Sequence, residues 1–137
     1  MFNIRYASKE DKSFWFTLEK HMDEHEFELK IRDNRVYVIC DKDKPIGVLR
    51  YGLFWDNTPF LNLIELEESY QGKGFGKQAM KYWENEMHSL GYKFVMTSTL
   101  SNEQAQFFYR KLGYKDSGCL LLRNEPLEIL LVKYFDE

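Results

Sequence analysis

The chain has 137 residues, enough for one domain with a core of its own. With 44% hydrophobic and 30% charged residues, it falls outside the disordered and collagen-like classes. Nineteen basic against 22 acidic groups leave a formal charge of -3, which argues against a broadly basic nucleic-acid-binding surface. Apolar runs are too short to span a membrane, and residues 1–11 carry no signal-peptide-like hydrophobic segment. Cys40 and Cys119 form neither a metal-ligand series nor a disulfide framework, so the expectation is a cytoplasmic protein without a metal.

Residues 3–7 read as a first strand. Ser8, followed three residues later by Asp11, has the form of a capping box. Phe14, Trp15, Leu18 and Met22 then recur at helical spacing and carry a helix to about His21. Over residues 23–33 two signals conflict: Phe27, Leu29 and Ile31 alternate as in a strand, while the surrounding Glu, Lys and Arg favour helix. Composition decides for a short second helix. Residues 36–40 and 46–54 read as an antiparallel hairpin around a turn at 41–45. Residues 55–59 break the chain before a strand at 60–66, with Pro59 at the strand's start, where it withholds no ladder donor.

Residues 71–76 lead into an amphipathic helix whose apolar stripe is Phe75, Ala79, Met80, Trp83, Met87 and Leu90, with Gly91 placed to stop it. A strand at 94–99 and a helix at 103–112 follow. Gly113 and Tyr114 open a C-terminal region with strand segments at 120–122 and 127–134, separated by residues 123–126. The sum is a single α/β domain, residues 1–137, with a mixed sheet. Phe, Tyr and Trp make up 17% of the chain, a surplus that fills a core or lines a pocket or a homodimer interface.

Gly72, Gly74 and Gly76 stand between an apolar strand and an amphipathic helix. Glycine permits tight dihedrals and a close backbone approach to a ligand. The unpaired N–H groups of the following helix start suit an anion, and Lys73 and Lys77 add positive charge. The loop lacks the Gly-Lys-Ser/Thr ending of a P-loop. A Rossmann site is disfavoured too, because residues 65–71 separate strand from loop and no succession of βαβ units follows.

In this context Gln71-Gly72-Lys73-Gly74-Phe75-Gly76 resembles the Gln/Arg-x-x-Gly-x-Gly/Ala motif of the GNAT superfamily of acetyl-coenzyme-A-dependent N-acetyltransferases. The approach through residues 64–70 matches that family's strand and short linker, with Glu68 at a frequent proline position. Residues 102–114, Asn102-Glu103-Gln104-Ala105-Gln106-Phe107-Phe108-Tyr109-Arg110-Lys111-Leu112-Gly113-Tyr114, resemble its second cofactor-side segment. Ile4-Arg5-Tyr6-Ala7 and Asp11 suit its opening. The resemblance implies a single-domain GNAT-like fold with a mixed, mostly antiparallel sheet flanked by helices.

It also implies roles. Main-chain amides over Gly72, Lys73, Gly74, Phe75, Gly76 and Lys77 would hold the coenzyme A pyrophosphate, with Gln71 beside them as a cofactor-binding residue of the motif. Leu66 would meet the pantetheine arm and present an N–H to the thioester oxygen. Asn102 would touch the cofactor arm, and Tyr109 would be the general acid at the departing sulfur. The amine acceptor loses its proton to a carboxylate, through ordered water, or before binding. Glu65 is the better-located base candidate, with ion pairing or acceptor binding as its other role, and Glu67 shares its strand parity.

His21 and His25 with Glu24 or Glu28 read as a polar surface, and Cys40 as a packed residue with no Cys-His arrangement beside it. The acids at 23, 24, 26 and 28 either face solvent or attract a cationic acceptor. Trp55, Asn57, Pro59 and Phe60 read either as turn and core packing or as an acceptor-pocket wall. Two functions follow: an acetyl-CoA-dependent N-acetyltransferase acting on a small molecule or a protein amino group, or an acyl-coenzyme-A-binding regulatory protein without efficient transfer.

Overall fold

The computed structural model describes residues 1–136. In chain order the elements are β1 (Phe2–Tyr6), α1 (Lys12–Leu18), α2 (Glu24–Arg32), β2 (Val36–Asp41), β3 (Lys44–Phe54), β4 (Thr58–Leu66), α3 (Phe75–Ser89), β5 (Phe94–Leu100), α4 (Ala105–Lys111), β6 (Lys115–Leu120) and β7 (Glu128–Tyr134). Short 3-10 turns occupy Lys9–Asp11 and Glu68–Tyr70. The strands form one mixed sheet in the order β1-β2-β3-β4-β5-β7-β6. Pairs β1–β2, β2–β3, β5–β7 and β6–β7 are antiparallel, and β4–β5 is parallel over Phe60↔Met96 and Leu61↔Thr97. This is the mixed, mostly antiparallel α/β architecture that the motifs imply.

The chain divides into two compact units, the first Met1–Gly52 with Asn62–Trp83, the second Leu53–Leu61 with Glu84–Glu137. In the first, β2 is buried on both faces, because alternate side chains of a strand point to opposite sides. Val36, Val38 and Cys40 join Val48 in packing against Trp15 of α1 and Phe27 of α2. Tyr37 points the other way, where its ring meets Tyr51 at 6.3 Å and Tyr82 at 6.4 Å. Tyr51 in turn meets Trp83 of α3 at 5.7 Å.

The start of the first helical region follows from charge. The backbone N–H of Ser8 donates to the Asp11 carboxylate at 2.8 Å, and Arg5 clamps the same group at 2.8 and 2.9 Å. The Arg5 guanidinium holds the Asp11 carboxyl below the usual aspartate range. Helix α1 ends at Leu18, a turn short of His21, because Glu19 takes an extended conformation and sends its buried carboxylate to Arg50. The conflict over residues 23–33 resolves as helix: Asp23 accepts from the Glu26 N–H at 2.9 Å, Phe27 is buried, and Lys30 and Arg32 sit in the last turn.

Along α3, Ala79, Met80, Trp83 and Met87 are fully buried, whereas Leu90 lies past the helix end and is 63% exposed. Gly91, at φ 96°, closes the helix as its N–H donates to the His88 carbonyl and that of Tyr92 to the Met87 carbonyl.

The second unit carries a buried polar pair. Tyr114 donates its hydroxyl proton to Glu84 at 2.7 Å, and Lys133 approaches the other carboxylate oxygen at 2.8 Å. Here one strand is displaced from its expected place. Strand β6 runs over Lys115–Leu120 rather than 120–122, and pairs with β7 from Lys115↔Val132 to Leu120↔Glu128. Every residue of β6 is exposed. An edge strand needs backbone partners rather than an apolar face, so apolar composition pointed to the wrong residues.

Candidate active site

Strand β4 ends at Leu66, and the next eight residues turn the chain into α3. The Glu67 N–H donates to the Ile46 carbonyl at 2.8 Å, tying the strand's end to β3. The 3-10 turn then closes through Tyr70 N–H to Glu67 O at 2.9 Å, and the Gln71 side-chain amide reaches back to the Leu66 carbonyl at 3.0 Å. The strand terminus and the loop are therefore locked to each other by a side chain within the motif.

Gly72 and Gly74 have φ values of 75° and 90°, a region that side-chain-bearing residues rarely adopt. A Cβ built on either would find nothing within 4 Å, so the space in front of both is open. Gln78 donates its N–H to the Gly74 carbonyl at 3.1 Å, which leaves the preceding N–H groups at the start of the 15-residue α3 without intrahelical acceptors. These groups carry the positive end of the helix dipole. Lys44 and Lys73 place their ammonium groups 5.4 and 5.8 Å from the centre of the Tyr70 ring, and Tyr70 meets Phe75 edge-on at 5.8 Å. Lys77 is exposed in the first turn of α3. The arrangement can receive an anion at the backbone and neutralise it with lysines held beside it.

Glu65 is half-buried on β4, and burial pushes its carboxyl above the ordinary glutamate range. Glu67 lies just beyond the strand, at the start of the 3-10 turn. A residue that sequence reasoning passed over controls this segment: a Cβ on Gly47 of β3 would stand 2.5 Å from Leu66 Cδ2 and 2.8 Å from the Glu65 carbonyl oxygen. A glycine inside an otherwise apolar strand was the available signal.

In the second unit, Asn102 is exposed in the turn between β5 and α4. Gln106 fixes that turn by donating to the Ser101 and Glu103 carbonyls, both at 2.8 Å. Tyr109 is only 6% exposed, with its ring 5.4 Å from Phe108 and 5.8 Å from Tyr114.

The first unit also holds a cavity of about 260 Å³ lined by His21, Asp23, Glu26, Lys30, Arg50 and Asn62 among others. Sequence reasoning singled out His21 and the acids but not Lys30, Arg50 or Asn62. Arg50, a charge in the middle of a buried strand, was the signal. Trp55 is 75% exposed at a turn in which Trp55 and Asp56 both have positive φ, while Pro59 is buried. Among the described residues, no cluster of three or more His, Cys, Asp or Glu is placed to hold a metal ion, and no helix is long and apolar enough to cross a membrane.

The profile of the acetyltransferase (GNAT) family matches residues 3–114. A GNAT family acetyltransferase from Bacillus cereus is similar in structure at a TM-score of 0.79 and 23% identity, covering 98% of this chain and 97% of that one. The ribosomal-protein-S18-alanine N-acetyltransferase from Escherichia coli gives 0.78 at 14% identity, over 98% and 94% of the two chains. A GNAT family acetyltransferase from Elizabethkingia anophelis, solved with acetyl-CoA bound, gives 0.76 at 14% identity over 98% of each. At these identities the likeness concerns the fold. No curated relative matches the chain in sequence.

Proposed function

The chain belongs to the acetyltransferase (GNAT) family, and from that premise we propose that it transfers the acetyl group of acetyl-CoA to a primary amine by direct attack in a ternary complex. The observation that carries this reading is the pair of left-handed glycines, Gly72 and Gly74, with open space before them at the start of α3. Backbone N–H groups over Gly72 to Lys77 bind the pyrophosphate of the cosubstrate, the Gln71 N–H being taken by the Glu68 carbonyl at 3.2 Å, and Lys73 and Lys77 offset its charge. Leu66 offers main-chain hydrogen bonding to the pantetheine arm and the thioester oxygen, and Asn102 binds the arm.

The amine nitrogen bonds to the acetyl carbon, the carbon–sulfur bond breaks, and the sulfur leaves with the bond's electrons. Tyr109 donates the proton that the sulfur takes up. Glu65, with its carboxyl raised by burial, accepts the proton that the amine gives up, directly or through water. Positioning the two reactants together supplies the remainder of the acceleration.

The burial of Tyr109 favours a second reading, an acyl-coenzyme-A-binding regulatory protein without efficient transfer. Thiol release from acetyl-CoA across a panel of small amines and peptide amino termini separates the two. Transfer predicts amine-dependent thiol release in which Tyr109→Phe lowers kcat by about a hundredfold while acetyl-CoA affinity holds. Binding without thiol release across the panel supports the regulatory reading.

A further inference from the structure

We propose that the cavity of the first unit binds a carboxylate, and that the acceptor is a small amine carrying that carboxylate several bonds from its nitrogen. The substrate class rests on the transferase reading; the anion site does not. Lys30 reaches the cavity from α2 and is half-buried, donating one of its three protons to the Tyr51 carbonyl at 2.9 Å. Its two remaining protons are left for another acceptor.

Arg50 stands beside it on β3, its side chain 16% exposed. Its Nε is committed to Glu19, which is almost completely buried, and Glu19 also accepts from the His21 N–H at 3.2 Å. Among the described residues, the terminal nitrogens of Arg50 have no hydrogen-bond partner, and neither does the Asn62 side chain. The Asn62 Oδ1 lies close to Gly52, only 3.2 Å from where a Cβ would be. Arg50, Lys30 and Asn62 line this one cavity, and beyond the Arg50 Nε and the one Lys30 proton already placed they carry further N–H donors. That set matches a carboxylate, which accepts through two oxygens.

Asp23 accepts the Glu26 N–H at the start of α2, and both Asp23 and Glu26 are exposed, where water screens their charges. Cations below and acids at the rim suit a molecule with a carboxylate at one end and an ammonium at the other. A volume near 260 Å³ holds a small molecule rather than a folded partner. Lys30 supports the placement electrostatically, since burial and then Arg50 lower its affinity for its own proton, a cost that a bound anion relieves. Asn62 lies on the same strand as Glu65 and Leu66, three and four residues before them, or ~10–13 Å along an extended chain. The amine thus reaches the reacting carbon only if a spacer separates it from the carboxylate.

The test is an NMR titration read at the Asn62 side-chain amide, with ε-aminocaproate and n-hexylamine as probes, paired with thiol release from acetyl-CoA for the same two amines. The site predicts saturable shifts with ε-aminocaproate and affinity at least about tenfold weaker for n-hexylamine. Lys30→Met weakens ε-aminocaproate by about tenfold or more and leaves n-hexylamine unchanged. Asn62→Leu, at an exposed position and read at the backbone amide of neighbouring Gly52, does the same should the Lys30 variant fail to fold. Equal affinity for the two probes, or folded Lys30→Met and Asn62→Leu proteins that bind ε-aminocaproate like wild type, overturns the site. Carboxylate-dependent shifts without thiol release keep the anion site and remove the proposed substrate class, leaving the transferase reading to the wider amine panel. Thiol release that ignores the carboxylate removes the proposed substrate class and keeps the transferase.

Discussion

Gly47 and Leu66 touch across β3 and β4 with no room for a methyl group: a Cβ on Gly47 would sit 2.5 Å from Leu66 Cδ2. The strand that meets the pantetheine arm in the proposed mechanism is thus placed by a missing side chain on its neighbour. Gly47→Ala must push β4 outward or force Leu66 off its rotamer. The expected cost is about 1–3 kcal/mol in chemical denaturation, accompanied by weaker acetyl-CoA binding. Unchanged stability and unchanged affinity together would show that β4 is not held by this contact.

Glu65 makes a prediction about pH. Burial disfavours its charged form, so its carboxyl titrates above the ordinary glutamate range. As a base it acts only when ionised, so kcat/KM rises with pH through that raised value. Glu65→Gln should flatten this acid limb and lower kcat by about a hundredfold or more. The stability sign runs the other way. The folded chain holds the Glu65 proton more tightly than the unfolded chain, so this group's contribution is complete below its unfolded pKa and is lost as pH rises through its folded one. Glu65→Gln should therefore gain stability relative to wild type between acid and neutral pH. An acid limb that persists in Glu65→Gln assigns the titration to another group.

Tyr114 and Glu84 offer a purely structural test. Burial, and then the Glu84 charge, hold the Tyr114 phenol well above its usual range, so it remains a donor to the carboxylate. Tyr114→Phe keeps the ring and removes that donor from a buried charge, at an expected cost of about 1.5–3 kcal/mol in urea unfolding. Because the folded pKa is raised, wild type also loses stability as pH climbs past the ordinary phenol range, and the variant should lack that loss. A neutral substitution would mean that Lys133 alone satisfies Glu84.

Much of the fold was legible because the signals were local. Asp11 three residues after Ser8, the stripe from Ala79 to Met87, and Gly91 with its positive φ each act within one or two turns of chain. What was not legible depends on partners distant in sequence. Helix α1 stops early because Glu19 pairs with Arg50, 31 residues away. Strand β6 is defined by its ladder to β7, so its exposed Lys-Asp-Ser-Gly-Cys-Leu composition conceals it.

The candidate site divides in the same way. The glycine loop announced itself through residue type and spacing. Gly47 and the group formed by Lys30, Arg50 and Asn62 did not, because only the pairing of β3 with its neighbours and the packing of α2 bring those residues together.

Calorimetric titration of wild type and Gly74→Trp with acetyl-CoA reads whether the Gly72–Gly74 loop binds the pyrophosphate. The substitution sets a bulky side chain in the open space before the loop at a left-handed position, and circular dichroism with thermal unfolding checks that the variant is folded. Wild-type binding should be saturable and should fall by about a hundredfold or more in the folded variant, a loss of about 2.7 kcal/mol. No binding by folded wild-type protein, or equal affinity in the folded variant, would contradict pyrophosphate binding at this loop.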